Sequence, residues 1–275
     1  VNGTGLSRPA PTQVFPDLNV QDIAADVNSH GCIAILSGRV SCWGANFNGM
    51  LGDGTTINRS MPVTVSGLTN VTRLALGNGF SCGLTASGVV YCWGQIIVNS
   101  NTSTFLQSAT PTVVTGLSSI QEATKDITAG SDFACALSAS NQVRCWGSNS
   151  RGQVANRPIS SIPSSPWDAM NALKVDAGSQ HACALAMDRT VWCWGLNSSG
   201  QLGNGNTTST SSPTKVQGLS GVLDISVGSL NSCALLSDKT ISCWGAGELG
   251  LFGSISRANR LYPEVLSGFT NVDQI

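Results

Sequence analysis

Hydrophobic and polar residues alternate in many short stretches of the chain, and polar or glycine-containing turns separate these stretches. The alternation is clear in residues 71–77 and 223–228. A period of two over this length predicts a β-strand that is half buried or sandwiched between neighbours. Each stretch is followed by a segment with a cysteine, a short turn and a segment containing Cys-Trp-Gly. The pattern therefore predicts an all-β chain of short, consecutive strands.

The tripeptide Cys-Trp-Gly recurs at residues 42–44, 92–94, 145–147, 193–195 and 243–245, at intervals of 50, 53, 48 and 50 residues. A Pro-x-x-Val segment ending in Gly-Leu recurs in phase with it, for example at 62–68 and 213–219. Four short strands in a repeated unit of this size are typical of a β-propeller blade. We expect one domain over residues 1–275, as part of a longer chain. Its expected blades span about 9–58, 59–108, 109–158, 159–208 and 209–258, and a sixth begins at 259–275.

All ten cysteines fall into five pairs with the same C-x9-C spacing. Zinc sites use shorter Cys-x2-4-Cys spacings or nearby histidines, so this spacing does not favour a metal site. Cysteines symmetric about a hairpin turn lie opposite each other, within the distance that a disulfide tolerates. Buried free thiols are the alternative. We expect five disulfides, which indicate an oxidising compartment: Cys32–Cys42, Cys82–Cys92, Cys135–Cys145, Cys183–Cys193 and Cys233–Cys243.

The repeated unit resembles the repeat of the regulator of chromosome condensation family, and the resemblance covers essentially the whole chain. The best match runs from 181–185 (His-Ala-Cys-Ala-Leu) through 193–197 (Cys-Trp-Gly-Leu-Asn) to 200–205 (Gly-Gln-Leu-Gly-Asn-Gly). Residues 95–98 (Gln-Ile-Ile-Val) depart from the pattern in the second unit. The resemblance implies a propeller, commonly seven-bladed, and the disulfides mark this chain as a secreted variant. The departing loops are where we expect specialisation.

No group of residues is arranged like a catalytic site. The two histidines, His30 and His181, occupy equivalent positions of the repeat, which favours a structural role over a catalytic one. The carboxylates are scattered singly, and no phosphate-binding Gly-x-x-x-x-Gly-Lys segment is present. We therefore expect a protein that is not an enzyme, with no catalytic residues, no metal site and no cofactor.

The tryptophans divide into two groups. Five of them belong to the repeated motif, and their equivalence favours packing between blades over a ring of ligand-binding aromatics: Trp43, Trp93, Trp146, Trp194 and Trp244. Trp167 and Trp192 fall outside the repeat pattern. These two are the candidates for a binding surface.

Six Asn-x-Ser/Thr triplets are candidate N-glycosylation sites: Asn2, Asn58, Asn70, Asn101, Asn197 and Asn206. The composition of the chain alone leads to about four such triplets by chance, so the number does not establish a glycoprotein. Asn101 and Asn206 lie in expected surface loops and are the best candidates.

Only 11% of the residues are charged, and the net charge is −1. This balance disfavours nucleic acids and anionic membranes as partners, because both require clustered positive charge. No apolar run is long enough to span a bilayer, so we expect no direct membrane insertion. The leading hypothesis is a non-enzymatic extracellular or cell-surface module that assembles with itself or with other surface proteins, in a coat, a filament or a receptor ectodomain.

The alternative hypothesis is a secreted lectin or an enzyme-inhibitor type of binder, with glycans as a further class of partner. The guanine-nucleotide exchange and chromatin role of the family's nuclear member is disfavoured by the expected disulfides and by the lack of a basic tail.

Overall fold

The computed structural model describes residues 19–26, 30–99, 104–115, 117, 123–154, 171–247, 252 and 258–275. Every regular element in these residues is a β-strand, as the alternating pattern predicts. The strands are β1 (Val20–Ala25), β2 (His30–Ile35), β3 (Val40–Gly44), β4 (Arg59–Thr64), β5 (Val71–Gly77), β6 (Phe80–Thr85), β7 (Val90–Asn99), β8 (Thr104–Val113), β9 (Thr124–Ala129), β10 (Phe133–Ser138), β11 (Val143–Gly147), β12 (Ala172–Ala177), β13 (His181–Ala186), β14 (Val191–Gly195), β15 (Thr210–Lys215), β16 (Val222–Val227), β17 (Asn231–Leu236), β18 (Ile241–Gly245) and β19 (Arg260–Val265).

Consecutive strands pair antiparallel and form five sheets, which we number in chain order. Sheets 1, 2, 4 and 5 consist of β1–β4, β5–β8, β12–β15 and β16–β19, and the described part of sheet 3 consists of β9–β11. The first strands of successive sheets contact each other, β1 with β5, β5 with β9, β9 with β12 and β12 with β16. These inner strands therefore surround the axis of a propeller with four-stranded blades, the architecture that the repeat predicts.

Each sheet carries one disulfide between its second and third strands, and the five pairs are those that the spacing predicts. The two cysteines are directly opposite each other in the register, as Cys82 is to Cys92. Their Cα atoms are 4.0 to 4.1 Å apart. No free cysteine remains. The hairpin geometry thus brings together residues that the sequence separates by ten positions.

Apolar side chains of neighbouring sheets pack together in four buried clusters, one between each pair of consecutive sheets. In the cluster between sheets 4 and 5, Leu185 and Val216 pack against Ile225 and Trp244. The motif tryptophans of sheets 2 to 5 are at most 3% exposed, and they lie between sheets rather than on a surface.

Glycines allow the sheets to approach closely near the axis. A Cβ atom on Gly130 would overlap the ring of Phe133 and the carbonyl oxygen of Gly178 in the next sheet. Backbone hydrogen bonds continue from sheet to sheet beside it, from Asn78 N–H to Ser131 (2.7 Å) and from Ser131 N–H to Ser179 (3.0 Å). A side chain at the Gly130 position would therefore separate two sheets.

The repeat of the sequence and the sheets of the structure are offset by one strand. The sequence analysis expected residues 259–275 to begin a sixth blade, but Arg260–Val265 pairs with β18 and completes sheet 5. The Pro-x-x-Val segment therefore belongs to the sheet before it, because it lies antiparallel beside the preceding Cys-Trp-Gly strand. The equivalent of an inner strand starts later, where Val272 N–H binds the Lys239 carbonyl at 3.1 Å, as Val222 N–H binds that of Arg189.

The outermost strands β4, β8, β15 and β19 each contain a proline at the equivalent position: Pro62, Pro111, Pro213 and Pro263. Proline has no N–H to donate to a further strand, and edge strands that contain it resist pairing with another sheet. Association through these outer edges is therefore disfavoured.

Candidate interaction surface at the loop end

The two ends of the propeller differ in their connections. At one end, called here the turn end, short turns join the second and third strands of each sheet. At the opposite end, the loop end, the inner strands finish and longer loops leave the Cys-Trp-Gly strands. In sheet 2 this connection is a long hairpin, because β7 and β8 pair as far as Asn99 and Thr104. The loop end thus carries most of the variation between units.

The loop of sheet 1, residues 45–58, is organised around the buried side chain of Asn46. Its Nδ2 donates to Asp53 Oδ1 (3.2 Å) and to the carbonyl oxygens of Thr55 (3.0 Å) and Ile57 (3.1 Å). Its Oδ1 accepts the Leu51 N–H at 2.9 Å. The side-chain amide of Asn46 therefore holds four residues of the loop in place through hydrogen bonds.

The carboxylate of Asp53 joins this network to Arg59. Its Oδ2 accepts from Arg59 Nε at 3.0 Å and from Nη2 at 2.9 Å, and its Oδ1 accepts from the hydroxyl and the N–H of Thr55. Burial would raise the pKa of Asp53, but these hydrogen bonds outweigh it and lower the pKa. Asp53 and Arg59 therefore neutralise each other within the loop.

The loop of sheet 4 repeats this arrangement with Asn197 at its centre. Asn197 Nδ2 donates to Asn204 Oδ1 and to the carbonyls of Asn206 and Thr208, at 3.0 to 3.2 Å, and its Oδ1 accepts from Leu202 N–H at 2.9 Å. The Asn197 side chain is fully buried, and the nitrogen that would carry a glycan makes these bonds, so this arrangement disfavours glycosylation of Asn197, which stays a prediction. Asn at the second position after Cys-Trp-Gly, seen at 46, 149 and 197, was the sequence signal for this role.

The other triplets are placed differently. Asn58, Asn70 and Asn206 are exposed, and Asn58 and Asn206 use their Oδ1 atoms as acceptors within the loops. Asn2 and Asn101 lie outside the described residues. Glycosylation of these five positions remains a prediction.

Three motif tryptophans donate their indole N–H groups to the loop of the preceding sheet. Trp93 donates to the carbonyl of Met50 (2.9 Å), and Trp194 donates to that of Gln153 (2.9 Å). Trp244 does the same with Gln201 at 2.8 Å. Trp146 Nε1 is buried without a hydrogen-bond partner, because the preceding unit has the β7–β8 hairpin in place of this loop. The loops of sheets 1, 3 and 4 are therefore each hydrogen-bonded to the following sheet. The connection of sheet 2 makes no such bond to Trp146.

The histidines also connect sheets. His30 Nε2 is 2.8 Å from Ser81 Oγ, and His181 Nε2 is 3.0 Å from Ser232 Oγ. Burial holds the pKa of His181 at about 3. Burial also lowers the pKa of His30, against the opposing effect of the Asp26 carboxylate. Because each serine hydroxyl donates to a loop carbonyl, neither pair presents a nucleophile to solvent.

Trp167 and Trp192 are the two tryptophans that the sequence suggests for a binding surface. Trp167 lies outside the described residues. Trp192 is partly buried, packs against the cluster between sheets 3 and 4, and donates its indole N–H to Thr190 Oγ1 at 2.9 Å. Its part in a binding surface remains a prediction.

Charges of alternating sign surround the axis, which the sequence analysis missed. The third residues of the five inner strands are Asp22, Arg73, Asp126, Lys174 and Asp224. Lys174 Nζ is 2.6 Å from Asp224 Oδ1, and Arg73 Nε is 3.9 Å from Asp126 Oδ1. The alternation is visible in the sequence only when the inner strands of the five units are aligned, because each of these residues belongs to a different unit.

Two carboxyl groups near the axis are affected by burial. Asp176 accepts the N–H of Val227 in the next sheet at 2.8 Å, yet burial raises its pKa. Burial also raises the pKa of Asp126, despite the nearby cations. A cavity of about 230 Å³ at the loop end of the axis is lined mainly by backbone and small side chains, including Gly77, Ser131 and Ser179. The axis is thus an internally paired structural element.

The part of the chain that the structure describes contains no group of three side chains that could hold a metal ion. No helix in that part is long and apolar enough to cross a membrane.

The sheets and their loops define a repeat-built β-propeller of the protein-interaction type. Two sequence models of the regulator of chromosome condensation (RCC1) repeat match it, one at residues 37–84 and 188–235, the other at 71–101, 125–153, 173–201 and 222–250. Together these segments cover more than half of the chain. The chain belongs to the RCC1 repeat family.

Several curated proteins share this repeat. The human E3 ubiquitin-protein ligase HERC2 is 28% identical over 156 residues, which are 53% of this chain and 3% of that protein. The secretion-regulating guanine nucleotide exchange factor of Bos taurus is 33% identical over 95 residues, or 32% of this chain and 20% of that protein. The ultraviolet-B receptor UVR8 of Arabidopsis thaliana is 29% identical over 130 residues, or 44% and 28%. The chain spans less than a third of the length of these relatives.

Solved structures show the same fold. Human WBSCR16 superimposes with a TM-score of 0.77 at 20% identity, over 90% of this chain and 67% of that one. Yeast RCC1 (Prp20), in its complex with Kap60, gives a TM-score of 0.75 at 21% identity, over 90% and 63%. At this level of identity the likeness concerns the fold alone.

Proposed function

We propose that the chain is a non-enzymatic, extracellular protein-interaction module that binds other surface proteins or further copies of itself through its loop end. Such a module fits a coat, a filament or a receptor ectodomain. Yeast RCC1 (Prp20) is a precedent for a propeller of this family in a complex with another protein. The proposal does not extend the ligase or exchange activities of the relatives to this chain.

The observation that carries the proposal is the internal hydrogen bonding of two loops at the loop end, those of sheets 1 and 4. Asn46 and Asn197 fix their loops from inside, and Trp93 and Trp244 tie these loops to the following sheets. A surface that is ordered before binding loses less conformational entropy when it meets a partner. The nearby charges are paired internally, as Asp53 is with Arg59, so the surface is suited to close packing against a protein.

The disulfides support an extracellular setting. Five disulfides in one chain form and persist in oxidising compartments and are rare in the cytosol. The buried cysteines leave no thiol for metal binding or redox exchange, and so the bonds fit a structural role in a secreted protein.

Cross-linking mass spectrometry of the protein from its native source, with negative-stain electron microscopy of the same sample, tests the proposal. We expect cross-links from loop-end residues to another polypeptide or to a second copy, and particles larger than one propeller. A solitary propeller without intermolecular cross-links would contradict it. Intact disulfides in the same sample, read from non-reduced peptides, test the compartment.

A cleft beside sheet 4 favours a second candidate, a lectin or inhibitor-type binder. It is about 720 Å³ in volume and is lined by polar side chains that include Asn204, Asn206 and Gln217, with Lys215 at its side. Amides and hydroxyls at the edge of a cleft are suited to hydrogen bonding with sugar hydroxyls. A glycan array in which wild type binds a glycan and Asn204→Ala does not would support this function, and an array without hits would remove the lectin version.

A further inference from the structure

Five chain segments surround one cavity at the loop end of the axis, called here the axial cavity. Each segment lies at the end of an inner strand, and together they enclose about 230 Å³: residues 25–26, 76–78, 129–131, 177–179 and 227–229. Most of these residues are small or polar, and among them Asp26 is the one that carries a charge. All five described sheets therefore contribute to the wall of the axial cavity.

The backbone N–H groups of the wall are largely used inside the protein. They donate at 2.7 to 3.3 Å, either to the next sheet or to the residue three positions later, in Asn78, Gly130, Ser131, Gly178, Ser179 and Gly228. Anion sites in proteins are commonly built from free backbone N–H groups. This wall therefore disfavours an anionic ligand.

The side chains of the wall offer hydroxyl oxygens. Ser131, Ser179 and Ser229 follow the inner strands of sheets 3, 4 and 5 at equivalent positions and line the cavity. The Oγ atoms of Ser179 and Ser229 are 2.8 Å apart, so one hydroxyl donates to the other and both keep lone pairs. A ligand with N–H donors can therefore bind to these oxygens.

Asp26 brings a negative charge to the wall. The other four sheets have glycine at this position, so the fold does not require a carboxylate there: Gly77, Gly130, Gly178 and Gly228. The Asp26 carboxylate is 2% exposed and accepts the N–H of His30 at 2.7 Å. Burial lowers the pKa of His30 from its usual value of 6.5, so the imidazole is neutral above pH 6.5 and does not cancel this charge.

A second carboxylate lies directly behind the wall. Asp176 accepts the N–H groups of Ala177 (2.9 Å) and Val227 (2.8 Å), and both of these residues line the cavity. The basic residues Arg73 and Lys174 lie three positions before the wall, about 10 Å further toward the turn end, at the strand rise of about 3.3 Å per residue. Each of them faces another aspartate. The electrostatic potential in the axial cavity is therefore negative.

We propose that the axial cavity binds a primary ammonium group. The three N–H donors of an ammonium match the serine hydroxyls, and its positive charge matches Asp26 and Asp176, which act across the wall through their field. A metal ion fits less well, because the described residues contain no group of three side chains that could hold one. The ammonium belongs to a free amine or to a lysine of a protein at the loop end, and this second source rests on the proposed function.

Amide chemical-shift titrations of the 15N-labelled chain, at about pH 7.5 and constant ionic strength, test the inference. The probes are three molecules of similar size: n-butylammonium, n-butanol and butyrate. We expect n-butylammonium to bind with a dissociation constant of about 1–10 mM and to shift the amide signals of Gly130, Ser179 and Ser229. The neutral and the anionic probe should bind about tenfold more weakly or not at all.

Variants locate the site and test the charge. Asp26→Asn, which removes the charge with little change of shape, is expected to raise the dissociation constant about tenfold. The matched control is Asp188→Asn, the same change in an exposed turn at the opposite end, which should leave the constant unchanged. Because Asp26 also bonds to His30, a second variant is needed. Ser229→Phe places a ring at the exposed mouth of the cavity and should abolish binding.

Two further probes distinguish the sources of the ammonium. Tighter binding of spermidine favours a free amine, and tighter binding of Nα-acetyl-lysine methylamide favours a lysine of a partner. The inference is overturned by the absence of shifts with about 50 mM n-butylammonium, by equal binding of n-butanol, or by binding that Ser229→Phe leaves unchanged. None of these results would touch the proposed function, which depends on intermolecular cross-links in the native sample.

Discussion

His181 in β13 and Ser232 in β17 bridge sheets 4 and 5, with 3.0 Å between Nε2 and Oγ. The serine hydroxyl in turn donates to the Gln201 carbonyl at 3.1 Å. The boundary between sheets 1 and 2 has the same arrangement, with His30 and Ser81. At both boundaries, a histidine of one sheet therefore forms a hydrogen bond with a serine of the next sheet.

The two remaining boundaries contain an apolar version of the same pair. Phe80 packs in one cluster with Ala134, and Phe133 packs in one cluster with Ala182, at the equivalent positions. A phenyl ring thus meets a methyl group where an imidazole meets a hydroxyl elsewhere. At each of these four boundaries a polar residue therefore meets a polar one, or an apolar residue meets an apolar one. This matching and the alternating charges at the axis favour the observed order of the sheets.

The double variant His181→Phe/Ser232→Ala should lose much of the acid sensitivity of the fold. Burial holds the pKa of His181 at about 3 in the folded state, below the usual value of 6.5. The unfolded chain therefore binds a proton that the folded chain does not, and the stability that neutral His181 contributes is present above pH 6.5 and is lost as the pH falls toward 3. The loss amounts to about 1.4 kcal/mol per pH unit.

Urea unfolding at pH 7.5, 6.5 and 5 provides the measurement. Between pH 7.5 and 5 the wild type should lose about 2 kcal/mol more than the double variant. His30 and the carboxylates are present in both proteins, so their contributions cancel in the difference. Parallel pH profiles would show that His181 does not titrate on unfolding as argued. The single variant Ser232→Ala, which keeps the histidine, should retain the wild-type slope.

Replacing tryptophan by phenylalanine should cost less at Trp146 than at Trp194. Both side chains are at most 3% exposed, so the loss of apolar contact is similar. Trp194 also loses its hydrogen bond to the Gln153 carbonyl, whereas Trp146 Nε1 has no acceptor. We expect Trp194→Phe to lower the free energy of unfolding by about 1–2 kcal/mol more than Trp146→Phe. Equal losses in urea titrations would refute this account of the unpaired indole.

Gly130→Ala should destabilise the boundary between sheets 3 and 4 by about 1–3 kcal/mol. Its new methyl group would overlap the Phe133 ring and the backbone of Gly178, and backbone atoms cannot move aside as a side chain can. The control is Gly83→Ala, where a methyl group meets Leu68 and Val71 at ordinary contact distances of 3.4 to 3.5 Å. We expect Gly83→Ala to unfold at the same urea concentration as wild type or higher, and a similar loss in both variants would count against the close-approach argument.

The strands and the disulfide pairs could be predicted because they repeat. Alternation fixes which side chains share a face, and a constant cysteine spacing about a turn fixes the register of the hairpin. The repeat does not show at which strand one sheet ends and the next begins. Nothing local in Arg260–Val265 shows whether it pairs with β18 or begins a new sheet, since that depends on a contact between distant segments.

The parts of the site that escaped prediction depend on neighbours in space. Asn197 matches a glycosylation triplet, and only its place at the centre of the loop shows that its nitrogen is used internally. Asp126 is an isolated carboxylate in the sequence, but the fold sets it beside Arg73 of the preceding sheet. Single-residue reasoning finds side chains of the right type, whereas these roles come from the contacts between successive sheets.

Glycan occupancy in a eukaryotic secretion host should separate Asn197 from the exposed triplets. A glycan attaches through Nδ2, and in Asn197 this atom is buried and bonded to the carbonyls of Asn206 and Thr208. We expect intact-protein mass spectrometry before and after deglycosylation to show no change of glycan number for Asn197→Gln. Asn206→Gln is the matched control, since Asn206 is exposed in the same loop and is expected to carry a glycan. A glycan found on Asn197 would mean that this loop forms only after modification, or not in the arrangement described, and the argument from the internally hydrogen-bonded loops of sheets 1 and 4 would fail with it.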